Sequence, residues 1–118
     1  MAERIQRKRT NGWRMPDGAV YVGRPSKWGN PFDYRVTMSD DEISAVEARQ
    51  FVADAFRDRL ASSDRHPGDP LYEGTPTYHE IRAELAGRDL ACWCPLDQPC
   101  HADVLLEIAN AAEGGDQP

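Results

Sequence analysis

Asp89-Leu90-Ala91-Cys92-Trp93-Cys94-Pro95-Leu96-Asp97-Gln98-Pro99-Cys100-His101 decides how the chain is organised. Its first six residues are a mostly apolar run halted by Pro95, which reads as a core strand over 89–94. From His101 to Ala112, Val104, Leu105, Ile108 and Ala109 recur at helical spacing, so a helix with one buried face follows. A strand and a helix are therefore joined by a turn that gathers all three cysteines and one of the three histidines. Beyond the helix, residues 113–118 read as a frayed tail.

Upstream, Thr75-Pro76-Thr77 opens a short helix with Tyr78, Ile81 and Leu85 on one face, and Gly87 is placed to end it in a left-handed cap. Residues 62–74 are rich in Gly, Pro and Asp without a period, which predicts a surface loop within the domain. Ser39-Asp40-Asp41-Glu42 has the spacing of a capping box, so a helix is expected to begin there. Behind it, Ile43, Val46, Phe51, Val52, Phe56 and Leu60 suggest one apolar face through about Leu60. Ala19-Val20-Tyr21-Val22, stopped by Gly23, reads as the first core strand. Residues 1–18 read as a basic N-terminal arm or edge strand. Strand, helices, strand, helix asks for parallel pairing through a right-handed crossover. The predicted class is α/β: a small single domain over 1–118 with a Rossmann-like layered sheet and helices.

The chain's 118 residues, 40% of them apolar, can bury one modest core and not two. The N-terminus has no apolar signal region and no stretch approaches a membrane span, so a soluble, cytoplasmic protein without membrane contact is expected. Three cysteines, two of them only two residues apart, do not suit a secreted disulfide framework, and reduced thiols are expected. The net charge of −6 is unevenly spread. Residues 1–28 carry about +5, through Arg4, Arg7, Lys8, Arg9, Arg14, Arg24 and Lys27 against Glu3 and Asp17, and the remainder about −11.

Two stretches carry candidate chemistry. Gly23-Arg24-Pro25-Ser26-Lys27-Trp28-Gly29-Asn30-Pro31-Phe32 offers a close backbone approach at Gly23, charge from Arg24 and Lys27, polar readout from Ser26 and Asn30, and a stacking face on Trp28. It matches neither the Walker loop nor the dinucleotide fingerprint, and a rigid loop packing Trp28 and Phe32 on the core is the plainer reading. Cys100 and His101 stand at a helix start, where backbone N–H groups favour an anion and lower a thiol's pKa. Cys100, His101 and Asp103 are therefore the catalytic candidates, with Asp103 as a general base or simply a dipole-favourable acid. Cys94 joins Gly23, Arg24, Ser26, Lys27, Trp28 and Asn30 as a ligand-binding candidate. Cys92, Cys94, Cys100 and His101 are also zinc-ligand types. On a continuous strand residues 92 and 94 would lie about 6–7 Å apart, and adjacent residues seldom both ligate, so no metal and no cofactor is expected. Cys92 reads as a small buried hydrophobe. His66 and His79 read as solvated surface groups.

Val20-Tyr-Val-Gly-Arg-Pro-Ser-Lys-Trp-Gly-Asn-Pro-Phe32 together with Leu90-Ala-Cys-Trp-Cys-Pro-Leu-Asp-Gln-Pro-Cys-His-Ala-Asp-Val-Leu-Leu106 resembles the bacterial and phage family called domain of unknown function 4326. Arg4-Ile-Gln-Arg7 and Gly12-Trp-Arg-Met-Pro16 extend the resemblance over nearly all of the chain except the region around 62–74. It implies no reaction. The Cys-His turn before a helix is also similar to that of small bacterial α/β domains with a Cys-His-Arg turn, where this chain has Ala102.

Two functions are expected from these residues. The first is binding of a small anionic or nucleotide-like ligand between the two stretches, with hydrolysis or transfer at a glycosidic or phosphoryl bond if the domain is an enzyme. The second is a non-catalytic protein- or nucleic-acid-interaction module, with or without a structural zinc, using Arg4, Arg7, Lys8, Arg9, Trp13 and Arg14. The acidic remainder of the chain would repel a long polyanion, which favours the small ligand.

Overall fold

In the computed structural model, residues 2–111 are described, the side chains of residues 39–41 excepted. The expected tail over 113–118 lies outside them. Three short parallel strands, β1 (Arg4–Gln6), β2 (Val20–Tyr21) and β3 (Leu90–Cys92), form a sheet of order β1-β3-β2. Arg4, Ile5 and Gln6 pair with Leu90, Ala91 and Cys92, while Val20 and Tyr21 pair with Leu90 and Ala91 from the opposite side. β3 is thus central and fully buried, and β2 is an edge strand. The expected strand over 89–94 is cut short: regular pairing stops at Cys92, and the chain bends at Trp93 and Cys94 before reaching Pro95.

Among the described residues there are four α-helices: α1 (Tyr34–Asp41), α2 (Ala45–Arg65), α3 (Tyr78–Leu85) and α4 (His101–Ala109). α4 lies against β3 and β1, α2 and α3 pack on α4, and α1 packs on α2. The fold is therefore α/β with a small parallel sheet. No described helix is long and apolar enough to cross a membrane.

The helix expected to start at Ser39 does not. Asp33 caps α1 by accepting the Arg35 N–H, so residues 39–41 continue a helix that began at Tyr34. Glu42 then turns left-handed (φ 55°), and α2 starts only after Ser44. Ser44 and Glu47 make the reciprocal capping box instead, with the Glu47 N–H donating to Ser44 Oγ at 3.2 Å. This places Ile43 before the helix and leaves Val46 and Phe51 exposed. The buried stripe is Ala48, Val52, Phe56 and Leu60 with Ala53 and Ser63, and the helix runs on to Arg65, so the expected loop over 62–74 begins inside a helix.

α3 opens after the Thr75-Pro76-Thr77 run as expected, Thr77 and Glu80 forming its capping box, and Gly87 (φ 76°) follows its end in the left-handed region. The last helix stops at Ala109, short of the expected Ala112. Phe56, Leu60, Ile81, Leu85, Leu90 and Leu105 form the centre of the core. His66 and His79 are exposed, His66 stacking on Tyr72.

Candidate functional site

β2 and β3 are parallel, so the segments leaving their carboxyl ends emerge side by side. His101, the first residue of α4, ties the two together through its Nε2, 2.7 Å from the Val22 carbonyl oxygen. A carbonyl only accepts, so Nε2 carries a proton toward Val22, and Nδ1 lies 3.7 Å from Cys100 Sγ. The Phe56 ring holds the imidazole edge-on at 5.5 Å.

Cys100 is the N-cap of α4, its Sγ accepting the Ala102 N–H at 3.5 Å. Because β3 ends at Cys92 and the chain bends at residues 93 and 94, Cys94 does not stand at strand spacing from Cys92. The Sγ atoms of Cys92, Cys94 and Cys100 all lie within 4.8 Å of one another, and those of Cys92 and Cys100 are 3.0 Å apart. The expectation that the Cys92/Cys94 spacing keeps these thiols apart is therefore corrected. All three thiols are unpaired. Contact with the Cys92 and Cys94 thiols pushes the Cys100 pKa down, against burial, which raises it, and with a smaller contribution from His101. The other two thiols are pushed up: Cys92 by its contacts with Cys100 and Cys94, Cys94 chiefly by its contact with Cys100. Cys100 is thus the most acidic thiol of the cluster.

A buried cation backs it. The Arg4 side chain, only 9% exposed, extends from β1, donates through Nη2 to the Leu96 and Gln98 carbonyls, and sets Nε 3.3 Å from Asp103. Burial opposes its charge, yet contact with Cys100 and the charge of Asp103 outweigh that, and its pKa rises. The guanidinium reaches Cys100, although Nη1 is buried without a well-aligned hydrogen-bond partner. Burial in turn raises the Asp103 pKa, with Arg4 pulling the other way.

The thiol cluster forms one wall of a cavity of ≈ 350 Å³. Cys92, Cys94, Cys100 and His101 face Tyr21, Gly23, Arg24 and Asn30 there. Phe32, Tyr34, Arg35, Arg49 and Trp93 complete the rim. Asp33 holds Arg35 at 3.0 Å and Arg24 at 3.9 Å, while the Arg49 guanidinium lies 4.0 Å over the Tyr34 ring with a buried, unpartnered Nε. Hydrogen bonds from the Arg35 side chain and backbone hold the Asp33 carboxyl below its ordinary range.

The two stretches singled out in the sequence thus meet, but not with every residue. Gly23, Arg24, Asn30, Cys94, Cys100 and His101 line one cavity. Gly23 serves Tyr21 there: a Cβ would fall 2.5 Å from the Tyr21 hydroxyl, which donates to the Arg24 carbonyl. Asn30 is buried, donating to the Val52 carbonyl and accepting the Phe32 N–H. Trp28 is in the core. Ser26 Oγ accepts the Trp28 N–H, and Lys27 pairs with Glu84 at 2.8 Å, both beside a different cavity. Asp103 lines a third, which shares Pro99 and Cys100 with the first. Arg4, expected on a basic surface, is turned inward.

Tyr34, Arg35 and Arg49 were not singled out by the sequence. Asp33 as a helix cap was the available signal for the first two, whereas nothing distinguishes Arg49 from a solvated helix residue. Residues 5–111 match the family model described as Domain of unknown function (DUF4326). No curated protein and no solved structure matches the chain.

Proposed function

The chain belongs to the DUF4326 family, a membership that brings no chemistry with it, and we propose from the cavity that the domain binds a nucleotide-like or phosphorylated small molecule. The observation that carries this reading is the convergence of Arg24, Arg35 and Arg49 with Tyr21, Phe32 and Tyr34 on one cavity of ≈ 350 Å³. Guanidinium groups suit phosphate oxygens, and aromatic faces suit a planar base. The volume fits a small ligand. On a Rossmann-like reading of the sheet, this cavity stands where such folds bind ligands, at the carboxyl ends of parallel strands. A hydrolase or transferase step on the ligand would take place at the Cys94, Cys100 and His101 wall.

A small ligand is favoured over nucleic acid by the fate of two of the N-terminal cations. Arg4 is buried, and Arg7 is sandwiched 4.8 Å from both the Tyr21 and Trp93 rings, so neither is free to follow a phosphate backbone. Calorimetry with nucleoside mono-, di- and triphosphates and inorganic phosphate tests the proposal. At least one nucleoside phosphate is expected to bind at micromolar concentration, and Arg49→Ala to weaken it by about tenfold, the loss of one charge-assisted contact worth ~1.4 kcal/mol. Binding that is absent below about 1 mM, or indifferent to Arg24→Ala and Arg49→Ala, defeats it. Sub-micromolar binding of an oligonucleotide at physiological salt would put the interaction module in its place.

A further inference from the structure

We infer that Cys92, Cys94 and Cys100 form a site for a thiophilic divalent cation of the zinc class, with its fourth coordination position open to the arginine-lined cavity. Three sulfur ligands at about 2.3 Å in tetrahedral array lie about 3.8 Å from one another. The three Sγ atoms lie within 4.8 Å of each other, with Cys92 and Cys100 at 3.0 Å, close enough to share one ion. They converge from three local structures: the end of β3, the bend that follows it and the cap of α4. Each position is fixed by backbone that the fold holds independently.

Charge and access point the same way. Three thiolates around a divalent cation leave one negative charge, and the Arg4 guanidinium, buried against Cys100 and shared with Asp103 at 3.3 Å, is the cation beside it. All three cysteines also line the cavity, so the side of the cluster not occupied by protein faces solvent and ligand. Structural zinc sites close with four protein ligands, whereas three protein ligands and an exchangeable position are the catalytic arrangement. His101 does not complete the set, because only the three sulfurs are mutually within 4.8 Å. Soft sulfur donors select zinc-like ions over magnesium or calcium.

This inference does not rest on the nucleotide-like ligand, since metal content is read with no ligand added. Elemental analysis of untagged protein, purified without chelator under reducing conditions, is expected to give about one zinc per chain. Cys94→Ser, which keeps the shape of a half-buried side chain, is expected to lower it at least tenfold. Because that variant can fail to fold, the wild type supplies the deciding reading. Apo protein titrated anaerobically with Co²⁺ is expected to saturate at one equivalent, with near-ultraviolet sulfur-to-cobalt absorption and visible bands that move on adding imidazole. Reduced protein that takes up neither zinc nor cobalt overturns the site, and cobalt bands that ignore imidazole overturn its open position.

Discussion

The cysteine turn and the Gly23–Phe32 loop leave neighbouring strands at the same end of the sheet, yet they use their side chains in opposite ways. In the turn, Cys92, Cys94 and Cys100 converge on one point, with Arg4 and His101 beside it. In the loop they diverge: Trp28 into the core, Asn30 onto α2, Lys27 to Glu84, and only Gly23, Arg24, Asn30 and Phe32 to the cavity. Polar composition alone thus does not make a binding loop. Much of this one is a brace that carries Arg24 and Phe32 to the rim, while the turn is built around its own reactive groups.

If the loop is a brace, its largest mutational effects fall on stability. Trp28 is 4% exposed within the core cluster, and Trp28→Ala is expected to destabilise the domain by ~3–5 kcal/mol in urea denaturation. Asn30 comes next. Asn30→Ala removes the bonds to the Val52 carbonyl and the Phe32 N–H, the first of them buried, for a loss of ~1–2 kcal/mol. A Trp28 variant of native stability that has lost ligand binding would instead make the loop a contact surface.

The strand, turn and helix over 89–109 were legible because Pro95 punctuates them and Val104, Leu105, Ile108 and Ala109 repeat at helical spacing, and all four are buried. The start of the long helix was not. Ser39 to Glu42 and Ser44 to Glu47 carry the same capping spacing, and the choice fell to Asp33, which starts a helix early enough to engulf the first box. Within the helix Val52, Phe56 and Leu60 share one face at i, i+4 and i+8 and are buried, while Val46 and Phe51 stand off that face and are exposed. In the site, residue types and the meeting of the two stretches were readable. The thiol cluster was not, because it depends on β3 ending at Cys92 and not running on to Cys94. Arg35 and Arg49 were hidden for a related reason, since their place on the rim depends on how α1 and α2 are rotated.

The smallest effect tests the seam between brace and cavity. Asp33 caps α1 and holds Arg35 and Arg24 at the rim, so Asp33→Asn keeps the capping acceptor while removing the ion pairs. Its loss at neutral pH is expected to be below ~1 kcal/mol, because both arginines are largely solvated. The sign of the pH dependence is fixed. Asp33 is more acidic folded than in the unfolded chain, where its pKa is about 3.9, so its ionised form stabilises the fold fully above that value. That contribution declines as pH falls toward the folded pKa and is gone below it. Denaturation of wild type and Asp33→Asn at pH 7, 5, 4 and 3 is therefore expected to give a difference that is constant down to about pH 5 and narrows below it. A difference that widens on acidification would mean that Asp33 acts through something other than its pairs with Arg35 and Arg24, and would detach the loop's end from the rim it is argued to hold.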